Sequence, residues 1–506
     1  MGMMLDDMET IEAMSIASLQ EQLSTGATTS VQVCKMFMER IQEWDKKVNA
    51  VRTVNPQALQ IAKERDEERR NGKVRGVLHG VPVLVKDCID TGDQMSTTCG
   101  TIALVDNFAE KDAHIVELLK EAGAIILGKT NLSEWCYIRS TRAVSGWSSV
   151  AGQVRNAYIL DRSPLGSSSG SAVAMTANMC LAAIGTETDG SITRPASSSG
   201  IVGIKPTVGL VSRSGMLGIV ESQDTAGPMT KTVYDAAIML SAIAGADRKD
   251  LSTQAGEVTK HLGQDYSRFC KPDALRGARI GVARSLFGPH PAMRAIMERA
   301  IEDIRQLGAD IVDPIDIALD LGTVWSMERE LINMGAKKGA DEYLSSTNNK
   351  CKVRSLEQLI NFNKTNKEKT MPYFEQEWLE SAQAEGYDAE RRNDILKKLQ
   401  TQVRDNGIDL AMKQHKLDAL IAPTEGTPAF CIDPLVGDNF VPFGSSCPPA
   451  TAGYPHITVP AGQIHGLPVG LSFFALAFEE PKIIAYAYSY EQATKHRRTP
   501  GFLPTL

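Results

Sequence analysis

From about residue 75 onward, short runs of aliphatic and β-branched residues alternate with helical stretches, and that alternation admits few architectures. Val81-Pro-Val-Leu-Val85, Ala124-Ile-Ile-Leu127, Ile280–Ala283, Asp310–Val312, Leu417–Ala422, Ile457-Thr-Val459 and Val469–Phe474 read as strands. Asp112 is placed to cap a helix running through Leu119 and stopping at Gly123; further helices are expected near Ala292–Leu307 and from Lys482 to about Thr494. Upstream, Ser18-Leu-Gln-Glu21 has the form of a capping box, Gly26 of a helix stop, and Ser30–Trp44 carries apolar positions at helical spacing. The expected fold class is α/β, a mixed β-sheet core covered by helices on both faces.

Two stretches break the rhythm. Residues 160–230 are dense in Ser, Gly and Thr, and Ala172–Ile184 interrupts them with an almost wholly apolar run that reads as a buried helix. Residues 325–405 are charged and helical in composition, an excursion from the sheet of the kind that shapes a substrate entrance. The chain of 506 residues is therefore expected to form one domain (1–506). It comprises N-terminal helices over 1–70, a core over 75–320, the helical excursion over 325–405 and a returning part of the core over 410–506.

Composition narrows the function. Lys+Arg 54 against Asp+Glu 61 leaves a net charge of −7, which argues against a nucleic-acid surface, since phosphate binding needs a basic stripe. No apolar run approaches the roughly 20 residues of a membrane span. The start is acidic where a secretory signal would be basic, and Asp6 stands where a myristoylation signal following Gly2 requires Ser or Thr. Nine cysteines, scattered singly, read as thiols of a reducing compartment, so a cytoplasmic location is expected. No His/Cys/carboxylate cluster has metal-ligand spacing, and neither metal nor organic cofactor is implied.

Two literal motifs fail on context. Gly123-Ala-Ile-Ile-Leu-Gly128-Lys129-Thr130 matches the Walker A pattern, but its central residues are the strand itself, with the helix before it rather than after. Gly166-Ser167-Ser168-Ser169-Gly170 matches a nucleophile elbow, yet no apolar strand precedes it, and the late histidines His456 and His465 sit near turns. A third constellation is left. Lys86 ends an apolar strand, where catalytic groups are commonly displayed in α/β folds. Two serine-bearing loops, Leu165–Ser171 and Gly185–Ser191, flank the apolar run and could converge on one place.

Those residues resemble the amidase signature hydrolases. The resemblance spans most of the chain: Gly80–Asp87, Ala122–Glu134, Gly166–Ser171, Gly185–Arg194, Gly200–Gly215, Ser222-Gln-Asp224 with Gly227-Pro228, Gly453–Gly462 and Gly466–Gly470. It implies a Ser-Ser-Lys triad on Lys86, Ser167 and Ser191, with the Gly166–Ser167 peptide bond cis. It implies an oxyanion hole from the backbone N–H groups of Thr188, Asp189, Gly190 and Ser191, with Cys136 on the substrate side. Ser168, Arg194, Lys205, Arg213 and Asp224 are expected to tie the loops together. Glu134, Trp135 and Trp147 are open to either pocket or core.

The chemistry is coherent. A serine hydroxyl needs a base within hydrogen-bond reach. A lysine at its ordinary pKa of roughly 10.4 holds its proton at neutral pH, and burial at the end of an apolar strand disfavours that charged form. Asp189-Gly190-Ser191 replaces the commoner Gly-Gly-Ser and resembles the peptide amidase branch of the family. The Asp189 side chain can brace the loop or contact substrate, with bracing preferred. Leu165 and Ala157 depart from the glycine and proline usual in the family. The implied function is hydrolysis of a carboxamide C–N bond through a serine acyl-enzyme. C-terminal amides of peptides or similar small amides are the first choice of substrate; a fatty-amide or aryl-acylamide hydrolase and the glutaminase subunit of a tRNA-dependent amidotransferase are the alternatives. Expected partners are a small-molecule or peptide amide substrate, without nucleic acid or membrane, in a monomer or homodimer.

Overall fold

A computed structural model describes residues 8–506; Gly2 and Asp6, weighed above for lipidation, lie outside the described residues. Among the described residues thirteen strands are formed: β1 Val51–Val54, β2 Pro82–Lys86, β3 Ile125–Thr130, β4 Trp147–Ser148, β5 Gly152–Gln153, β6 Ala182–Glu187, β7 Val202–Lys205, β8 Thr225–Thr230, β9 Arg279–Ala283, β10 Asp310–Ile315, β11 Ala419–Pro423, β12 His456–Ile464 and β13 Leu467–Phe474. Eleven make one sheet in the order β1-β3-β2-β6-β8-β7-β12-β13-β11-β9-β10, while β4 and β5 pair separately. β2 runs parallel to β3 and β6, and β9 parallel to β10 and β11; the remaining pairings are antiparallel. The expected mixed sheet is present, and every residue of β2, β3 and β6 is buried, including the polar residues Lys86, Lys129, Thr130, Thr186 and Glu187 at their carboxyl ends.

Three local expectations are corrected. The apolar run from Ala172 does not continue as one helix to Ile184: the helix is Ser169–Thr176, and β6 begins at Ala182. Asn178, in the left-handed conformation (φ 57°), turns the chain between them, and an apolar run buried on all sides gives no period that would separate helix from strand. Ser15, rather than Ser18, caps the helix Ile16–Thr25; Ser18 is the reciprocal partner three residues in, and the helix ends at Gly26 as expected. Asp112 caps nothing. Its carboxylate accepts from the Gly92 N–H (2.7 Å) and pairs with Lys120, and the helix starts at His114.

The short helix Ser169–Thr176 is buried at every position and packs against β6. Gly170 allows this, because a Cβ there would run into the backbone of Ala50 and Asn131. The excursion is helical, with Leu321–Ser346, Leu356–Thr365, Glu377–Glu385 and Ala389–Gln400 as its main segments. Among the described residues no helix is long and apolar enough to cross a membrane.

Candidate active site

Lys86 closes β2, and its side chain is wholly buried. Nζ lies 2.7 Å from Ser167 Oγ, 2.8 Å from Thr186 Oγ1 and 3.3 Å from the Thr186 carbonyl. Thr186 comes from β6, the strand paired with β2, so the sheet register itself delivers these acceptors. Asp87, the neighbour that would pair a surface ammonium, points elsewhere: Arg52 holds it at 2.6 Å and Lys129 stands 4.0 Å away. Among the described residues no carboxylate lies within ion-pair distance of Lys86 Nζ.

Ser167 follows a cis Gly166–Ser167 bond, as the resemblance implied. Leu165, where a glycine was expected, adopts a left-handed φ of 54°. Gly166 is needed in turn, since a Cβ there would collide with Ser133 Oγ and press on Ser169 Oγ at 3.0 Å. Ser168 joins the two serine loops: its N–H donates to the Ser191 carbonyl (3.1 Å), its hydroxyl donates to the Thr186 carbonyl (3.0 Å), and its oxygen accepts from the Thr186 N–H (3.2 Å). Ser167, Ser168, Thr186 and Ser191 are thereby one assembly.

Ser191 opens onto a cavity of about 260 Å³, which Gly166, Thr188, Asp189, Arg194 and Cys136 also line. Glu187 fixes the turn from below, its carboxylate accepting from the Ile192 (2.7 Å) and Thr193 (2.9 Å) N–H groups. Asp224 fixes it from the side. It accepts the Thr188 hydroxyl (2.6 Å) and the Ile219 and Val220 N–H groups (2.6 and 2.8 Å), and burial raises its pKa to about 6. Gln223 donates to the Thr188 carbonyl (3.2 Å). Among the described residues none accepts a hydrogen bond from the N–H groups of Thr188, Asp189, Gly190 or Ser191. Four successive N–H groups beside the Ser191 hydroxyl are thus left without a protein acceptor, the condition an anion-binding turn requires.

Arg194 donates to the Gly190 carbonyl through its N–H (2.9 Å). Its guanidinium forms a two-pronged pair with Glu425 (2.5 and 2.9 Å) and covers the Phe440 ring at 4.2 Å. Lys205 is buried behind the turn, lowered to about 8 by burial against the opposing charge of Glu187. Arg213 binds Asp250 (2.6 and 2.8 Å) and braces a neighbouring loop rather than the turn.

Cys136 reaches the cavity through three consecutive left-handed residues, Trp135, Cys136 and Tyr137 (φ 52°, 51° and 81°). Its neighbours, Cys88 first and then Lys86, Ser167 and Thr186, pull its pKa down against the effect of burial. Trp135 is core. Glu134 pairs with Arg139 (2.8 Å), whose guanidinium covers Trp147, so both belong to the scaffold.

The two rejected motifs are accounted for. Lys129 is buried in β3 and donates to the Ile89 carbonyl (3.0 Å) instead of framing a phosphate loop. His456 is also fully buried, its Nε2 held between Ser445 (3.2 Å) and Ser472 (2.7 Å), and no histidine lines the cavity among the described residues. Sequence reasoning missed Thr186, Glu328, Trp325, Trp378, Glu425 and Phe440. Thr186 sits inside the block containing Ser191 and was recoverable from strand pairing. The others come from distant segments, and no local pattern marks them.

Comparisons with known proteins place the chain in a family. A family model described as Amidase matches residues 32–484. The native peptide amidase of Stenotrophomonas maltophilia superimposes with a TM-score of 0.90 at 43% identity, covering 97% of this chain and 99% of that one. A protein of Arabidopsis thaliana described as a probable amidase is 37% identical over 98% of this chain and 91% of its own length. A glutamyl-tRNA(Gln) amidotransferase component of Thermoanaerobacter pseudethanolicus is 34% identical, over 96% of this chain and 98% of its own length. With a family match over nearly its whole length and a buried lysine–serine site at its centre, this chain belongs to the amidase signature family and is an amide-hydrolysing enzyme.

Proposed function

We propose that the enzyme removes the terminal amide of peptides, releasing ammonia, through an acyl-enzyme on Ser191. The observation that carries the mechanism is the 2.7 Å contact between Lys86 Nζ and Ser167 Oγ in a buried, carboxylate-free setting. Ser191 Oγ attacks the carboxamide carbon; its proton passes to Ser167 Oγ as the Ser167 proton passes to Lys86 Nζ. The carbonyl oxygen, now negative, is received by the free N–H groups of Thr188–Ser191, and such donors are worth about 3–4 kcal/mol each when aimed at the transition state. The relay then runs backward: the amide nitrogen takes the proton, the C–N bond breaks, and ammonia leaves. Water adds to the Ser191 ester by the same relay, and the acid is released.

The choice of peptide amides is supported by the Thr-Glu-Thr-Asp-Gly-Ser form of the turn and by the 43% identity to a peptide amidase. Ammonia release is to be measured across peptide amides, fatty amides, anilides and glutamine. Peptide amides should have the highest kcat/KM. A preference for glutamine would move the reading to the glutaminase of an amidotransferase, and a preference for fatty amides or anilides to those hydrolases.

A further inference from the structure

The cavity beside Ser191 contains a second polar device that the triad does not use. Asp189, two residues before the proposed nucleophile, and Glu328, from the helix Leu321–Ser346 of the excursion, face each other there, with ligand atoms of Asp189, Glu328 and Cys447 all within 4.8 Å of one another. Glu328 is held in place rather than free to swing. Its Oε1 accepts from Gln223 Nε2 (2.7 Å), and that same amide nitrogen donates to the Thr188 carbonyl of the turn (3.2 Å). One glutamine therefore couples the excursion to the proposed oxyanion loop. Asp189 Oδ1 is buried and has no hydrogen-bond partner among the described residues. Its nearest cation, Arg194, is committed to Glu425 through both prongs. Burial, and for Glu328 the adjoining Asp189 as well, pushes both carboxyls upward. Trp325, Trp378 and Phe440 supply apolar wall around this acceptor pair.

A buried, unpartnered acceptor is costly unless a ligand satisfies it. We propose that the Asp189–Glu328 pair accepts a hydrogen bond from an N–H group on the acyl side of the substrate, so that the enzyme selects aminoacyl and peptidyl amides over acyl amides of equal size lacking that donor. This rests on the amidase reading above and names the recognition element that would make it peptide-directed. Asp224, Gln223 and Glu187 brace the loop by themselves, so the bracing role preferred for Asp189 from sequence is not required of it.

The test compares N-acetylphenylalaninamide with 2-acetoxy-3-phenylpropionamide, in which oxygen replaces the N–H and the shape is otherwise kept. Phenylalaninamide serves as the charged-donor arm and 3-phenylpropionamide as the donor-free arm. A hydrogen bond to an ionisable acceptor predicts that the oxygen analogue loses roughly tenfold to a hundredfold in kcat/KM with the wild-type enzyme. Asp189→Asn and Glu328→Gln should each shrink that ratio, whatever they do to absolute rates. If phenylalaninamide exceeds its N-acetyl form, the donor preferred is an ammonium; if the order is reversed, it is a peptide N–H; either result supports the assignment provided both exceed 3-phenylpropionamide. Equal kcat/KM for the N–H and oxygen substrates in the wild type overturns the inference and leaves the amidase reading standing. So does a ratio unchanged in both variants. Failure to release ammonia from any of the four would instead overturn the reading beneath it.

Discussion

Replacing Gly190 with alanine tests how tightly the turn before Ser191 is specified. Gly190 has φ +74°, and a Cβ placed there would overlap the Arg194 side chain, with Cγ at 2.7 Å, and press on Ser446 Cβ at 3.1 Å. A left-handed alanine costs roughly 1–2 kcal/mol on its own. Relief of the overlap must come from Arg194, whose guanidinium is four-fifths buried and paired with Glu425; loosening a charge-assisted pair costs about 1.5–3 kcal/mol. Gly190→Ala is therefore expected to lower stability by about 2.5–5 kcal/mol, measured by denaturant unfolding, with the fold retained. The catalytic effect should be larger than stability alone explains. Asp189, Gly190 and Ser191 supply adjacent free N–H groups, and displacing such a donor costs on the order of a hundredfold in kcat. Steady-state ammonia release by the folded variant should show that loss with KM changed far less. A variant within threefold of wild-type kcat would refute the claim that this turn is a tuned oxyanion cradle.

Thr186→Val removes the hydroxyl 2.8 Å from Lys86 Nζ while keeping shape, and kcat should fall by about tenfold with KM nearly constant; an unchanged kcat would mean that Ser167 and the Thr186 carbonyl orient the amine without this hydroxyl. His456 is held neutral, its pKa lowered to about 3 by burial and then by Lys205. Its folded value lies below the ordinary 6.5, so the stability it contributes is complete above about pH 6.5 and is lost as pH falls, by about 1.4 kcal/mol per unit. Unfolding free energies between pH 6.5 and 4.5 should fall less steeply in His456→Gln than in the wild type; parallel slopes would contradict this assignment.

Much of the site was legible in the sequence because its parts lie on local signals. Lys86 ends an apolar strand and the two serine loops flank a buried segment, which suggested one meeting place, but the roles of Lys86, Ser167 and Ser191 came from the resemblance to the amidase signature hydrolases. Gly166, Gly170 and Gly190 mark places where backbone or side chain leaves no room for a Cβ. What escaped notice follows from physics of two kinds. The run from Ala172 to Ile184 is buried on all sides, so its change from helix to strand leaves no trace in hydrophobic period. The cavity wall is assembled in part from Trp325, Glu328 and Trp378, whose proximity to Ser191 exists only after the excursion has packed on the sheet. Capping was misjudged at Ser18 and Asp112 because several polar residues near a helix start compete for the same N–H groups, and tertiary partners such as Gly92 and Lys120 decide between them.

The most direct measurement of the central claim is intact-mass and peptide-level identification of the adduct formed with a fluorophosphonate, followed over time in the wild type and in Lys86→Ala. A single adduct on Ser191, forming at least a hundredfold more slowly once the lysine is gone while both proteins remain folded, is what a lysine-driven serine relay predicts. Labelling at Ser168 or another residue, or equal labelling rates in the two proteins, would contradict it.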